Sequence, residues 1–340
     1  MQEWLTERRP HYTMKDEVHI IPLADRERWE AEHRVDGLPS QAWSYAWALS
    51  ASGVQPQLAV VHAGGARMVM PFFERDWLGT TDVATTLGLS GASIAPNSTA
   101  PLSLWQEFAT AQGWVDGYIQ LATSVDLAPG SVPGELVARN AVFLLDLEPE
   151  RIIKSASRTI RTKIYHAAKN GYALIDQKPV LAEALARLYP EAMRRLGAQP
   201  HYFFSEESLH RWVHNPASLV LGASLDDAIQ AVCVFNIANG CAEAHIMGST
   251  ERGRSLLPWL IWQGATQLRQ RGATILNLGG GGHPGDGLYR FKERFGGNPK
   301  SLRAVRQIYD KARYRDLCRQ AGVSMLQAAR FPAYRAGSMF

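Results

Sequence analysis

The densest concentration of chemistry-capable residues lies near the C-terminal end, in Leu278-Gly-Gly-Gly-Gly-His-Pro-Gly-Asp-Gly-Leu-Tyr-Arg-Phe-Lys-Glu-Arg-Phe-Gly-Gly. An apolar run ends in four glycines, a polar turn follows, and a helical pattern presents Tyr289, Arg290, Lys292 and Arg294. Glycines let backbone amides approach a ligand closely, and a helix start adds positive potential. Gly280, Gly281, Tyr289 and Lys292 are therefore candidate contacts for a phosphate or carboxylate. Phe291 and Phe295, four apart, are the residues that anchor such a helix in a core. The same run contains no GxxxxGK[ST], and no dinucleotide fingerprint opens a first βα unit.

A second concentration is cationic. Arg151 to Lys169 holds six Lys/Arg and no acid. Arg158 and Arg161 on this stretch can dock a polyphosphate or an RNA backbone, or form a solvated helix face. A third lies at Glu243 and His245, which a strand places on one face. With His283 and Asp286 in the glycine-rich turn they are the candidates for a general base, and His201 is a weaker one. No GxSxG, HExxH or clustered Cys/His occurs, so neither a serine-hydrolase elbow nor a catalytic metal is expected.

The elements that must position these residues alternate between strand and helix patterns, as in a mixed α/β protein. Leu58–Val61 and Met68–Phe72 flank Gly64-Gly65 as a hairpin. Pro101–Gln112 reads as a helix, and Gly117–Ala122 and Ala141–Leu147 read as strands. Glu148-Pro149-Glu150 reads as a junction. Ser157 caps a helix with Ile160, Ile164 and Ala167 on one face, ended by Asn170-Gly171. A helix from about Val180 to Leu196 is expected to bend or restart at Pro190. Strands then turn at Asp226-Asp227 and Asn239-Gly240, a helix spans about Leu256–Arg271, and a strand spans Thr274–Leu278. Each half thus contains a helix, a strand–turn–strand meander, a helix and a strand.

Composition agrees with two soluble lobes: 340 residues, 46% apolar, 20% charged, a net charge of +4 and a pI near 9.0. The mild positive charge favours an anionic ligand. Three cysteines without a CxxC pair argue against a disulfide framework or zinc knuckle and for a reducing, cytoplasmic setting. No apolar run reaches the length of a membrane span. Oligomeric state is not legible.

The C-terminal half resembles the Fem-type branch of the GNAT acyltransferase superfamily, which includes peptidoglycan interpeptide-bridge aminoacyltransferases. The resemblance rests on Ser157–Gly171, on Tyr189, Met193 and Tyr202-Phe203-Phe204, and on Gly279-Gly280 followed by Leu288–Gly296. It covers about residues 150–300 well and the first half weakly. It implies two tandem GNAT-like lobes with a cleft: residues 1–148, completed by about 312–340, and residues 149–311 as the catalytic lobe. It also implies acyl transfer to an amine of a small polar, anionic acceptor such as an amino sugar, amino acid or cell-envelope precursor, with Lys292 holding the acceptor's anionic group. The donor is acyl-CoA, or alternatively aminoacyl-tRNA; a non-catalytic binding pair is the remaining possibility. In GNAT enzymes the junction at Gly248–Leu256 cradles the coenzyme A pyrophosphate. Ser249, Arg252, Gly253, Arg254 and Ser255 supply the residue types there without the usual spacing. Tyr202 is a further candidate acceptor contact.

Overall fold

The computed structural model describes residues 16–281, 285–325 and 330–335. The first lobe begins with β1 (Glu17–Pro22), α1 (Arg26–Asp36) and α2 (Trp43–Ser50), followed by β2 (Gln57–Ala63), β3 (Ala66–Trp77), β4 (Thr80–Thr85) and β5 (Ser93–Ala95). It continues through α3 (Ala100–Ala111) and β6 (Asp116–Gln120) to β7 (Glu135–Asp146). Two helices, α4 (Pro149–Ser155) and α5 (Arg158–Lys169), lead into the second lobe. That lobe runs through β8 (Ala173–Ile175), α6 (Lys178–Arg195), α7 (Glu206–His214), β9 (Ser218–Leu225), β10 (Ala228–Ala238), β11 (Cys241–Ser249) and α8 (Leu257–Gln270). It closes with β12 (Ile275–Asn277), α9 (Gly287–Glu293) and β13 (Asn298–Ile308), before α10 (Lys311–Gln320).

One mixed sheet joins both lobes in the order β1-β2-β3-β4-β6-β13-β7-β12-β11-β10-β9-β8, with β5 on β3. Two ladders are parallel, β4 with β6 and β11 with β12, and they occupy corresponding places in the two halves. The long strands β7 and β13 fuse the halves. The end of β7 pairs with β12, and β13 from Ala304 onward pairs with β6. The chain's last strand therefore belongs to both lobes. Beyond it, Tyr314, Leu317, Ala333 and Tyr334 pack with Val115 of the first lobe. Arg335 Nε donates to Asp82 Oδ2 at 2.7 Å, and the Tyr334 hydroxyl bridges Asp82 and Asp116.

Local sequence explains most boundaries. Gly64-Gly65, Asp226-Asp227 and Asn239-Gly240 each hold two successive positive φ angles, the backbone that tight hairpins require. Ser157 accepts a hydrogen bond from the Ile160 amide, and the Ile160, Ile164 and Ala167 face is buried. At Pro190 the helix does not restart: α6 runs through it. Seven buried α6 residues, from Leu181 to Ala192, hold the helix in place despite the missing donor. Strand β7 also starts earlier than its apolar run, because Glu135–Ala138 pair with Arg303–Arg306.

The lobes share a core. Tyr45, Ala48 and Leu49 of α2 are buried with Trp212, Leu185 and Ile246 of the second lobe. The Arg211 guanidinium lies 4.3 Å above the Trp47 ring and donates to the Trp47 carbonyl at 3.0 Å. Each fully buried large apolar side chain contributes about 1.5–3 kcal/mol, so α2 fixes the two lobes against each other.

Candidate active site at the fork of β11 and β12

The second parallel ladder is short. It pairs Cys241 with Ile275, Ala242 with Leu276 and Glu243 with Asn277. Past that point the strands part. The chain after β12 turns to β7, where the Leu278 amide donates to Phe143 and the Phe143 amide to Gly279. Strand β11 stays with β10. Ala242 and Ala244 face the α8 core, so Glu243 points from the other face at the fork.

Glu243 is 2% exposed. Its Oε1 accepts a hydrogen bond from Ser90 Oγ at 2.6 Å, a residue of the first lobe. Ser90 is itself locked: the Ser40 amide donates to Ser90 Oγ at 3.0 Å, and the Ser90 amide donates to Ser40 Oγ at 2.8 Å. A side chain at Gly88 would collide with Ser40, so the loop must be glycine there. Burial pushes the Glu243 carboxyl up to about 7, against the opposing pull of the Ser90 and Ser40 hydroxyls and the Leu89 amide. A carboxylate poised there suits proton abstraction near neutrality.

Lys292 stands on the other side of the same loop. Asp286 caps α9 by accepting from the Tyr289 amide at 2.6 Å. One turn on, Lys292 Nζ donates to the Gly280 carbonyl at 2.7 Å. A Cβ built on Gly279, whose φ is +70°, would lie 3.0 Å from Lys292 Nζ and 3.2 Å from Leu89 Cδ2. Leu89 and Ser90, adjacent in the first lobe, thus touch the Lys292 side and the Glu243 side of the fork. Burial lowers the Lys292 ammonium to about 8, partly offset by Asp286. Lys292 forms no ion pair at contact distance among the described residues; Asp286 acts on its charge from farther away.

Other candidates have different surroundings. His245 sits at a bulge in β11, since Val234 pairs with Ile246 and Phe235 with Ala244. Its ring lies 4.7 Å from Tyr45, 4.5 Å from Trp212 and 6.3 Å from Phe204. Burial lowers its pKa to about 3, so the imidazole is neutral and a poor acceptor of protons at pH 7. The Tyr289 ring packs edge-on against Phe143 at 4.9 Å, which makes it part of the wall. A side chain at Gly280 would strike the Ala141 carbonyl and one at Gly281 would strike Asp286, so both glycines serve close packing. Tyr202 is exposed, and its carbonyl accepts from the Tyr189 hydroxyl at 2.7 Å. His283 lies outside the described residues.

The Ser249–Ser255 segment forms a closed turn. The Gly253 amide donates to Thr250 Oγ1, the Arg254 amide to the Thr250 carbonyl, and the Leu256 amide to the Gly253 carbonyl. Gly253 packs against the Gln230 carbonyl. These amides are committed inside the turn, contrary to the amide cradle expected of Gly253, Arg254 and their neighbours. Ser249 gives its carbonyl to Arg195, Arg254 pairs with Glu251, and Arg252 and Ser255 are exposed. Arg158 is exposed on α5, while Arg161 donates to the Ala156 carbonyl at 2.9 Å. Among the described residues one His/carboxylate group has metal-like spacing: Glu183, Glu206 and His210, on the surface of α6 and α7 and apart from the fork.

The residues that sequence reasoning missed are Ser40, Leu89 and Ser90. Leu89 and Ser90 lie between Gly88 and Gly91 and Ser40 lies 50 residues before Ser90, and nothing local links either segment to Glu243.

No protein-family model and no curated protein matches the sequence. Solved structures do match in fold. FemX aligns over 88% of this chain and 99% of its own, at 12% identity and a TM-score of 0.62. The C-terminal domain of a putative lysylphosphatidylglycerol synthetase from Agrobacterium fabrum aligns over 83% of this chain and 91% of its own, at 14% identity and a TM-score of 0.55. L-PGS from Bacillus licheniformis covers the same shares at 13% identity and a TM-score of 0.54. Identities this low speak to fold alone. No helix of the described residues is long and apolar enough to cross a membrane. The expected fold class is the observed one: the chain has the two-lobed, mixed α/β fold of FemX.

Proposed function

We propose that the chain transfers an acyl group, aminoacyl groups included, to the amine of a small polar acceptor at the fork of β11 and β12. The observation that carries this is the pairing of environments there: burial raises the Glu243 carboxyl to about 7 against the pull of Ser90, and burial lowers the Lys292 ammonium, which donates to the Gly280 carbonyl, to about 8. Two titratable groups displaced by burial and facing one first-lobe loop are what acid–base chemistry near neutrality needs.

In this reading the acceptor nitrogen attacks the acyl carbonyl carbon and a C–N bond forms. Glu243 takes the proton that the nitrogen loses. Lys292 balances negative charge on the acceptor or on the tetrahedral oxyanion. The bond to the leaving group, C–S for a thioester or C–O for an ester, then breaks. The leaving thiolate or alkoxide takes up a proton. The two lobes hold the partners in register, which alone supplies much of the acceleration.

An acyl-CoA thioester is the first donor reading. The aminoacyl ester of a tRNA is the second, favoured by the committed amides of the Ser249–Ser255 turn and by Arg158, Lys163 and Lys169 of α5, which have no ion-pair partners among the described residues. Incubating the protein with acyl-CoAs or charged tRNA, each with amino-sugar and amino-acid acceptors, tests the proposal by mass spectrometry. An N-acylated acceptor is the expected product. Absence of transfer and of donor hydrolysis across both panels would overturn the reading.

A further inference from the structure

We propose that Asn236 is a positioning residue for the candidate base: its side-chain amide donates to Glu243 Oε2 when that carboxyl is ionised, opposite the Ser90 contact on Oε1. The inference deepens the reading above and rests on it for its catalytic consequence.

Strand register places the two residues together. Asn236 of β10 pairs with Glu243 of β11 on one side and with Ser218 of β9 on the other. Cross-strand partners share a face, with Cβ atoms about 4.5–5.5 Å apart. Elsewhere this face is apolar, with Val220, Val232, Val234 and Ile246 buried in one core with Leu185 of α6 and Trp212 of α7. The polar row that crosses it is buried at all three positions, Ser218, Asn236 and Glu243.

The bulge at His245 creates this alignment. Val234 pairs with Ile246, and unbroken pairing would carry Asn236 to Ala244. The extra residue brings Glu243 opposite Asn236 instead. It also turns Glu243 away from the α8 core that holds Ala242 and Ala244, toward Ser90.

Hydrogen bonding decides which way the Asn236 amide points. Ser218 Oγ donates to Asn236 Oδ1 at 2.8 Å, and the Ser218 amide donates to the Asn215 carbonyl at 3.0 Å. With Oδ1 turned to β9, Nδ2 is turned to β11. Among the described residues Nδ2 has no hydrogen-bond partner, and neither has Glu243 Oε2. A buried donor and a buried acceptor, each costly to leave unmade, thus stand on paired residues. Ionisation puts negative charge on the carboxylate and makes Oε2 the stronger acceptor, so a small side-chain rotation that joins them is favoured in that state.

The titratable groups around Glu243 are Tyr45 of α2, Cys241 and His245 of β11, and Lys292 of α9 beyond the loop. Burial keeps the first three neutral near pH 7: it raises Tyr45 and Cys241 and lowers His245. Lys292 donates to the Gly280 carbonyl. Hydrogen bonds to Glu243 therefore set the balance against burial. When Oε2 takes the proton that the acceptor nitrogen loses, the Asn236 contact loses its charge.

Carbon-13 NMR titration of the full chain, with glutamate labelled at Cδ, tests this without any substrate. Glu243→Gln identifies the Glu243 resonance by its loss. Asn236→Val, which matches Val232 and Val234 on the same face, should move the Glu243 midpoint upward by about one pH unit. Ser218→Ala, which frees the amide but leaves it in place, should move the midpoint upward by less, and it carries the test if the first variant does not fold. The acid limb of kcat/KM should follow the NMR midpoint while the plateau rate is largely kept; a merely structural role would lower the plateau and leave the midpoint in place. The proposal is overturned if the Glu243 midpoint is unmoved in the variants that fold. A moved midpoint in a chain that transfers no acyl group sinks the catalytic reading alone; transfer with an unmoved midpoint sinks this inference alone.

Discussion

Ser90 Oγ and Glu243 Oε1 lie 2.6 Å apart across the two lobes, between residues 153 positions apart in sequence. The contact makes the first lobe part of the second lobe's candidate base. A charge-assisted hydrogen bond contributes about 1.5–3 kcal/mol, or roughly one to two pH units of carboxyl affinity for its proton. Ser90→Ala is therefore expected to move the acid limb of the rate profile upward by about one unit and to leave the alkaline limb in place. A pH–rate profile of the variant against the parent checks it; coincident acid limbs would show that Ser90 does not tune Glu243.

The parent profile itself should be a narrow bell. Glu243 acts when ionised, and its carboxyl, raised by burial to about 7, becomes so as pH rises through that value. Lys292 acts when protonated, and its ammonium, lowered by burial to about 8, is lost above that value. The maximum of kcat/KM should fall between the two. A plateau running from pH 5 to pH 10 would mean that neither group takes part.

Lys292→Met separates catalysis from stability. Exchanging a buried charge for an apolar side chain of similar length is often neutral or stabilising. The Tm should hold or rise while kcat/KM falls by about 10²–10³, the range for loss of one stabiliser of developing charge. Thermal melts and steady-state kinetics on the same preparation measure both. A variant that melts early and keeps its residual activity would assign Lys292 a purely structural role.

A separate pH effect on stability is expected in the first lobe. Burial and the neighbouring Asp82 raise the Asp116 carboxyl to about 8. The folded chain thus holds this proton more tightly than the unfolded chain, whose aspartates titrate near 3.9. The contribution is fully present below about 4 and is lost as pH rises through 8. Asp116→Asn, which keeps the shape and the neutral state, should flatten the difference in stability between pH 5 and pH 9. Urea unfolding of both proteins at the two pH values gives the comparison, and an unchanged difference would place the Asp116 proton elsewhere.

Much of the scaffold was legible because its determinants are local. Paired turn residues such as Asn239-Gly240 need only their own backbone angles, and Ser157 caps a helix three residues away. Glu243 and Lys292 were legible as types placed on a strand and a short helix. What escaped notice depends on tertiary packing. Ser40, in a short helical turn, and Ser90, in a loop, are ordinary serines until the lobes meet. His245 is enclosed by Tyr45, Trp212 and Phe204, which α2, α7 and the segment before α7 bring from elsewhere in the chain. The turn after Ser249 carries the glycine and arginines of an anion loop, yet Thr250 and Gln230 consume its hydrogen-bonding groups.

The most direct test of the central claim is product formation by Glu243→Gln. With a donor and amine acceptor that the unaltered chain turns over, mass-spectrometric quantification of the N-acylated product should show a rate reduced about 10²-fold or more at pH 7.5, the contribution typical of a positioned base. A Glu243→Gln chain that makes product at the parental rate would contradict the account.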